Sequence, residues 1–250
     1  MEEILKKCFS TLLLFLVPLF LFSDIVKDLF QAIKKGNLKE VQIIFSRGIS
    51  ADAYDQYGKR PLHVASDYGY PDIVNFFIEK GGNVNSKDKN EWTPLHYACA
   101  GGHLKVVEIL VKNGAEIEAE DISGTTPLAV AAYKGKLKVV QYLAENGASI
   151  EKVDRMGDTP LHHAAYKGHT NVMDFLLEKG LNIDVTNFYG WTPLHRAAYG
   201  GNLVAAKFLI KRGANKYAKT TAYLKKIPAG VIPRDIALIN RKMEVFNFLF

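Results

Sequence analysis

The sequence predicts an all-α repeat solenoid, and three observations predict it. A six-residue phrase returns five times at a fixed step of 33 residues: Arg60-Pro-Leu-His-Val-Ala65, Thr93-Pro-Leu-His-Tyr-Ala98, Thr126-Pro-Leu-Ala-Val-Ala131, Thr159-Pro-Leu-His-His-Ala164 and Thr192-Pro-Leu-His-Arg-Ala197. Each copy is followed, eight residues after its Pro, by a Gly (Gly69, Gly102, Gly135, Gly168, Gly201), and later by a second one (Gly81, Gly114, Gly147, Gly180, Gly213). An Asp stands five residues ahead of four copies (Asp55, Asp88, Asp121, Asp154), with Asn187 ahead of the fifth. Equal spacing means one folding unit used repeatedly, and such an array offers its surface rather than an enclosed pocket.

Each unit reads as two helices and a loop. Pro61, Pro94, Pro127, Pro160 and Pro193 suit the first helical turn, where no N–H is needed and φ is preset. The residue before is Thr in four copies, a good N-cap oxygen. The helix runs through Leu, Ala and Ala to the first Gly, which suits a left-handed C-cap. A second helix follows, with apolar residues at helical spacing, as in Leu104, Val107, Leu110 and Val111, and stops at the second Gly. The polar stretch to the next phrase, such as residues 115–124, should form an extended hairpin. Glu91 replaces the turn Gly in the third unit and predicts a different turn there. One unit alone cannot bury its apolar sides, so neighbours must stack.

The ends depart from the pattern. Leu29 to Arg47 keeps the two-helix form, with Gly36 and Gly48 in the Gly slots, but lacks the phrase and the loop before it. At the other end the phrase is due near Lys226 and arrives as Ile232-Pro-Arg-Asp-Ile-Ala237, seven residues late, so an insertion around residues 220–231 lengthens the last loop. The count is about seven units, two of them degenerate caps.

The period and the Thr-Pro-Leu-His-x-Ala phrase resemble the ankyrin repeat family, from about Leu29 to the end of the chain. The resemblance implies helix-turn-helix units joined by β-hairpin loops. It implies that the phrase histidines make hydrogen bonds between units, and that partners bind a concave face of loop tips and inner helices. Carried over residue by residue, those slots hold Tyr57, Lys59, Tyr68, Trp92, Tyr133, Lys134, Arg155, Tyr166, Lys167, Phe188, Tyr189, Trp191 and Tyr199 as partner-binding candidates. Tyr133, Tyr166 and Tyr199 should form a ladder, which either meets a partner or pads one inner helix against the next. Trp92 and Trp191, at loop tips with little protein above them, are expected to bind.

Composition sets the class. At 250 residues and 48% hydrophobic, with no Pro/Gly/Ser linker or low-complexity segment inside the repeats, residues 24–250 read as one elongated domain. Residues 1–23 differ: Lys6 and Lys7 precede an apolar run from Phe9 to Phe22, short for a span but suited to a secretory signal cut after Ser23. The expected address is therefore periplasmic or secreted after cleavage. The alternatives are a membrane anchor formed by residues 9–22, or a hydrophobic helix packed on the first unit. Cys8 lacks a lipoprotein context, and Cys99 would be the one thiol left after cleavage, a small buried filler in an Ala slot. No Asn-x-Ser/Thr acceptor occurs, which favours a bacterial envelope.

The net charge of +6 is uneven. From Lys211 onward nine basic residues face only Asp235 and Glu244, so this stretch carries +7 and everything before it sums to −1. That end is either a docking surface for an acidic protein or anionic membrane, or a solvated cap. Phosphate-loop, Gly-x-Ser-x-Gly and His-Glu-x-x-His motifs are missing from the sequence. Six of the seven histidines fall in repeat slots, leaving His163 over. The function expected is a non-catalytic, monomeric protein-interaction scaffold without cofactor or nucleic acid. The alternative is a membrane-tethered spacer with a basic C-terminal cap.

Overall fold

The structure is a computed structural model that describes residues 24–224 and 227–250. The proposed signal or anchor in residues 1–23 lies outside the described residues.

Helices pair along the chain. Helix α1 (residues 24–34) pairs with α2 (Leu38–Phe45). Five regular pairs follow: α3 (Pro61–Tyr68) with α4 (Pro71–Glu79), α5 (Pro94–Gly101) with α6 (Leu104–Lys112), α7 (Pro127–Tyr133) with α8 (Leu137–Glu145), α9 (Pro160–Lys167) with α10 (Thr170–Glu178), and α11 (Pro193–Gly200) with α12 (Leu203–Lys211). The last pair is α13 (Pro233–Ile239) and α14 (Met243–Leu249). Odd-numbered helices from α3 to α13 pack in one inner layer, and even-numbered helices from α2 to α14 in an outer layer. The core is one continuous strip: the phrase Leu and Ala (Leu95, Ala98; Leu161, Ala164) meet outer residues such as Val107, Leu110, Val140 and Met173, all without solvent contact. This is the stacked, neighbour-dependent burial that the repeat requires.

The loops before each phrase are narrow fingers. Each is closed by its Asp or Asn, whose backbone N–H donates to the carbonyl four residues on (Asp55 to Lys59, Asp88 to Trp92, Asp121 to Thr125, Asp154 to Asp158, Asn187 to Trp191, 3.0–3.1 Å). The same residue's Oδ1 accepts the N–H groups two and four residues ahead, as in Asp88 with Asn90 and Trp92 at 2.8 and 3.0 Å. Fingers join their neighbours by one or two backbone bonds, including Lys89 N–H to the Tyr57 carbonyl and Arg155 N–H to the Ser123 carbonyl (3.1 and 3.0 Å). So few bonds per junction make no ladder, and the expected hairpins are turns. Among the described residues, strand pairing is confined to an isolated bridge between Leu224 and Ile227.

Two departures from expectation have local causes. Glu91 does not change its turn. It adopts φ 61°, beside 75° at Gly124 and 74° at Gly190, because the Asp88 clamp dictates the backbone. The insertion is absorbed within one finger: Thr220 N–H donates to the Val231 carbonyl at 3.0 Å, as Asn187 N–H does to Trp191. The finger's base is kept.

Candidate partner-binding surface

The phrase positions its own inner helix and the next unit together. At Thr93, Thr159 and Thr192 the backbone N–H donates to Nδ1 of the His three residues on (3.1, 3.1 and 3.0 Å), and Arg60 N–H does so to His63 (2.9 Å). With Nδ1 accepting, the proton sits on Nε2. That N–H donates across the junction: His63 to the Trp92 carbonyl (3.0 Å), His96 to Thr125 (3.1 Å), His162 to Trp191 (2.8 Å) and His195 to Val231 (3.3 Å). Burial keeps these rings neutral. It pushes His63, His162 and His195 down to about 4 and lowers His96 as well. The residue after the first Gly reaches back instead: His103 Nε2 to the Asp67 carbonyl (2.9 Å), His169 Nε2 to Tyr133 (3.0 Å), and Asn202 Nδ2 to Tyr166. Both ring nitrogens of every phrase histidine are thus employed, Nδ1 at the start of its own helix and Nε2 in holding the next unit.

On the face made by inner helices and fingers, the tyrosine ladder is present. Tyr133 and Tyr166 stack at 6.2 Å and 19°, and Tyr166 and Tyr199 lie 6.2 Å apart at 31°. Each ring is half-buried, so it pads its neighbour and also shows an edge to solvent. Exposed Lys134 and Lys167 flank the first ring, their ammonium groups 5.7 and 4.7 Å from its centroid, and Lys167 also lies 5.2 Å from Tyr166. Contact with the Tyr133 hydroxyl raises Lys167 above the usual lysine range. His163, the leftover histidine, sets its edge against Tyr133 (6.2 Å) with Nε2 3.2 Å from Asp154 Oδ2. Burial alone would raise the Asp154 carboxyl, but His163 and the backbone donors of Asp158 and Met156 outweigh it and hold it low.

The other candidates divide. Arg155 and Phe188 are exposed on their fingers, Phe188 at 67%, while Tyr189 is half-buried. Tyr57, 60% exposed, sits at the N-terminal end in a separate groove of about 890 Å³ that Val26, Phe30 and Tyr54 also line. Tyr68, 45% exposed, stacks on Tyr70 at 6.2 Å. Lys59 is half-buried with its ammonium 4.4 Å over Tyr97.

Trp191 corrects the sequence reading. It is 0% exposed and cannot reach a partner. The last residue of a finger turns inward over the helix that follows, so Trp191 lies against His195 (6.3 Å) and edge-on to Tyr199 (5.4 Å). The Arg196 guanidinium covers it at 4.9 Å. Trp92 in the same slot packs on His96 and Tyr97 and is half-buried, with Nε1 donating to Asp121 Oδ2 at 3.0 Å. Trp191 is thus floor, not tip, whereas Trp92 keeps part of its ring in solvent. The sequence reading also missed Arg196, which is buried, ion-paired with Asp158 and aligned on Met156. A signal was there: an Arg four residues after an Ala-rich phrase begins, one unit after an Asp in an otherwise Trp/Thr/Lys slot.

Comparison with known proteins gives one picture. A family model described as "Ankyrin repeats (3 copies)" matches residues 80–154 and 149–220, and one described as "Ankyrin repeats (many copies)" matches residues 46–98. Fowlpox virus ankyrin repeat protein FPV223 is 37% identical over 51 residues, 20% of this chain and 36% of the relative. Human protein phosphatase 1 regulatory subunit 27 is 36% identical over 55 residues, 22% of this chain and 36% of the relative. A fission yeast (Schizosaccharomyces pombe) ankyrin repeat-containing protein is 42% identical over 38 residues, 15% of this chain and 18% of the relative. The chain spans well under half the length of these curated relatives. Family models covering most of the stack agree with the helix pairs, fingers and bridging histidines: the chain belongs to the ankyrin repeat family.

Proposed function

We propose that this chain is a non-catalytic, monomeric interaction scaffold that holds a protein partner on the face built from its inner helices and fingers. The observation that carries the reading is the Tyr133–Tyr166–Tyr199 ladder, flanked by exposed Lys134 and Lys167 and bordered by exposed Arg155 and Phe188. Aromatic rings fixed by packing and edged by cations are the usual material of interface hot spots. The groups that could do chemistry are committed elsewhere: phrase imidazoles to junctions, and Cys99 to the core, where burial pushes its thiol up. A relative named as a phosphatase regulatory subunit accords with a role exercised on another protein.

Residues 1–23 are proposed as an export signal that delivers the solenoid to the periplasm or exterior. Supporting this, Lys6 and Lys7 precede the apolar run, and Ser23 puts a small residue at the cut. A tethered spacer is the second reading, favoured by the +7 carried from Lys211 onward, which would suit an anionic lipid face. Intact mass separates them: loss of residues 1–23 removes the tether.

The test of the scaffold uses Tyr133→Ala, Tyr166→Ala and Tyr189→Ala together, in pull-downs from source-cell and extracellular fractions. Capture should vanish while the variant still melts cooperatively. Undiminished capture by a folded triple variant would remove the face from consideration.

A further inference from the structure

The charges on this face are unequally engaged. At the bases of the fingers that begin at Asp88, Asp121 and Asp154, the acidic side chains are consumed within the protein. Asp88 Oδ2 accepts from the Tyr97 hydroxyl at 2.6 Å, and Asp121 Oδ2 from Trp92 Nε1 at 3.0 Å. Asp154 lies against His163, and Asp158 takes both Arg196 and the Asn187 amide. Three exposed cations, by contrast, have no acidic partner: among the described residues, no ion pair includes Lys134, Arg155 or Lys167. Asp67, on α3, marks where the basic strip ends on the N-terminal side.

We infer that the partner segment bound on this strip is an extended acidic peptide, its carboxylates set against Lys134, Lys167 and Arg155; this rests on the scaffold reading above. Two ammonium groups share the Tyr133 ring, at 5.7 and 4.7 Å from its centroid, so they are held close together by one rigid platform. In an extended chain, side chains on one face recur about every 7 Å. Carboxylates at alternate positions therefore all face the strip that carries Lys134, Lys167 and Arg155, their methylene stems lying over the ring edges. Nucleic acid is a poorer fit, because stacking of bases needs free aromatic faces. Here the faces of Tyr133 and Tyr166 are turned to each other at 19°, and the lysines cover what remains.

Fluorescence anisotropy of the protein from residue 24 onward tests this with a fluorescein-labelled dodecapeptide of alternating Glu and Ala. The matching Gln/Ala peptide and a single-stranded thymidine dodecamer are the comparators. The Glu peptide should bind about tenfold or more tighter than the Gln peptide, with affinity falling as salt rises. Lys134→Glu with Lys167→Glu should abolish that preference; both positions are exposed, and a thermal melt verifies folding. Equal binding of the two peptides, no binding of the Glu peptide, an unchanged charge-reversed variant, or tighter binding of the oligonucleotide would each overturn the inference. If the triple Tyr→Ala variant loses its native partner while the charge-reversed variant keeps it, the scaffold reading stands and the acidic partner falls. If both variants keep the partner, the scaffold reading itself is wrong.

Discussion

Trp92 and Trp191 occupy the same slot in units well apart along the stack, and they live differently. Each caps its finger, leans on the phrase histidine and meets an aromatic ring (Tyr97 or Tyr199). Yet Trp92 is half-buried with its indole N–H bonded to Asp121, while Trp191 is fully buried with its N–H lacking a protein partner. The following unit makes the difference. The slot that holds Asp121 for Trp92 holds Thr220 for Trp191, and the Thr220 hydroxyl is already donating to the Pro228 carbonyl at 3.1 Å. The helix beneath adds Arg196, pinned by Asp158, as a lid. In a repeat array a residue's exposure is set by its neighbours one unit away as much as by its own slot.

The largest expected effect follows from that contrast. Trp191→Ala should destabilise by about 3–5 kcal/mol, since it empties a sealed site and strips Arg196 of its ring. Trp92→Ala should cost roughly half as much, because solvent already reaches it. Urea unfolding measures both. Equal costs would mean that the two rings are equivalently buried and that the lid does nothing.

Acid should act on several units alike, through their phrase histidines. Folded His63, His162 and His195 take a proton only near pH 4, whereas unfolded chains take it near 6.5. Between those values the unfolded state binds more protons, so stability that is complete above pH 6.5 is lost as pH falls toward 4. The loss is on the order of 3 kcal/mol per ring at the bottom of the window. His162→Ala, which copies the Ala129 that the neighbouring unit carries in this slot, should remove one ring's share of the slope at some cost in neutral stability. A urea midpoint that stays flat from pH 7 to 4.5 would contradict the neutral, junction-bonded assignment.

Much of this is legible in the sequence because each repeat-specific residue does a job within reach of its own unit. Pro at the first turn, Gly after the helix and Asp at the finger base act over two to eight residues, so spacing alone reveals them. The tyrosine ladder is legible too, since stacking follows from identical slots. What the sequence hides depends on pairs 29 to 40 residues apart. Trp92 with Asp121, Arg196 with Asp158 and Arg196 with Met156 are matches between different slots of adjacent units. A repeat alignment compares like slots with like and so passes over them. The inward turn of Trp191 is hidden for the same reason: its cover comes from Arg196 and the next finger, not from anything in its own slot.

The finger turns of the same two units offer the finest contrast. Gly190, in the Trp191 finger, sits at φ 74°, and a Cβ there would come 2.5 Å from the Thr221 backbone nitrogen, whose N–H bonds the Tyr189 carbonyl. Gly190→Ala should therefore cost about 2 kcal/mol or more, from left-handed strain and from parting two fingers that share a hydrogen bond. Glu91, in the Trp92 finger, already carries an exposed side chain at φ 61°, with an exposed Lys87 partner at 3.2 Å. Its ion pair is solvent-screened and worth little. Glu91→Gly should then stabilise by about 0.5–1 kcal/mol, the left-handed strain relieved being larger than the entropy added to the unfolded chain. Thermal or urea unfolding of the two variants in one background reads both signs. If Glu91→Gly destabilised the fold, its side chain would be anchoring the finger, and the Asp88 clamp would not be what sets the turn.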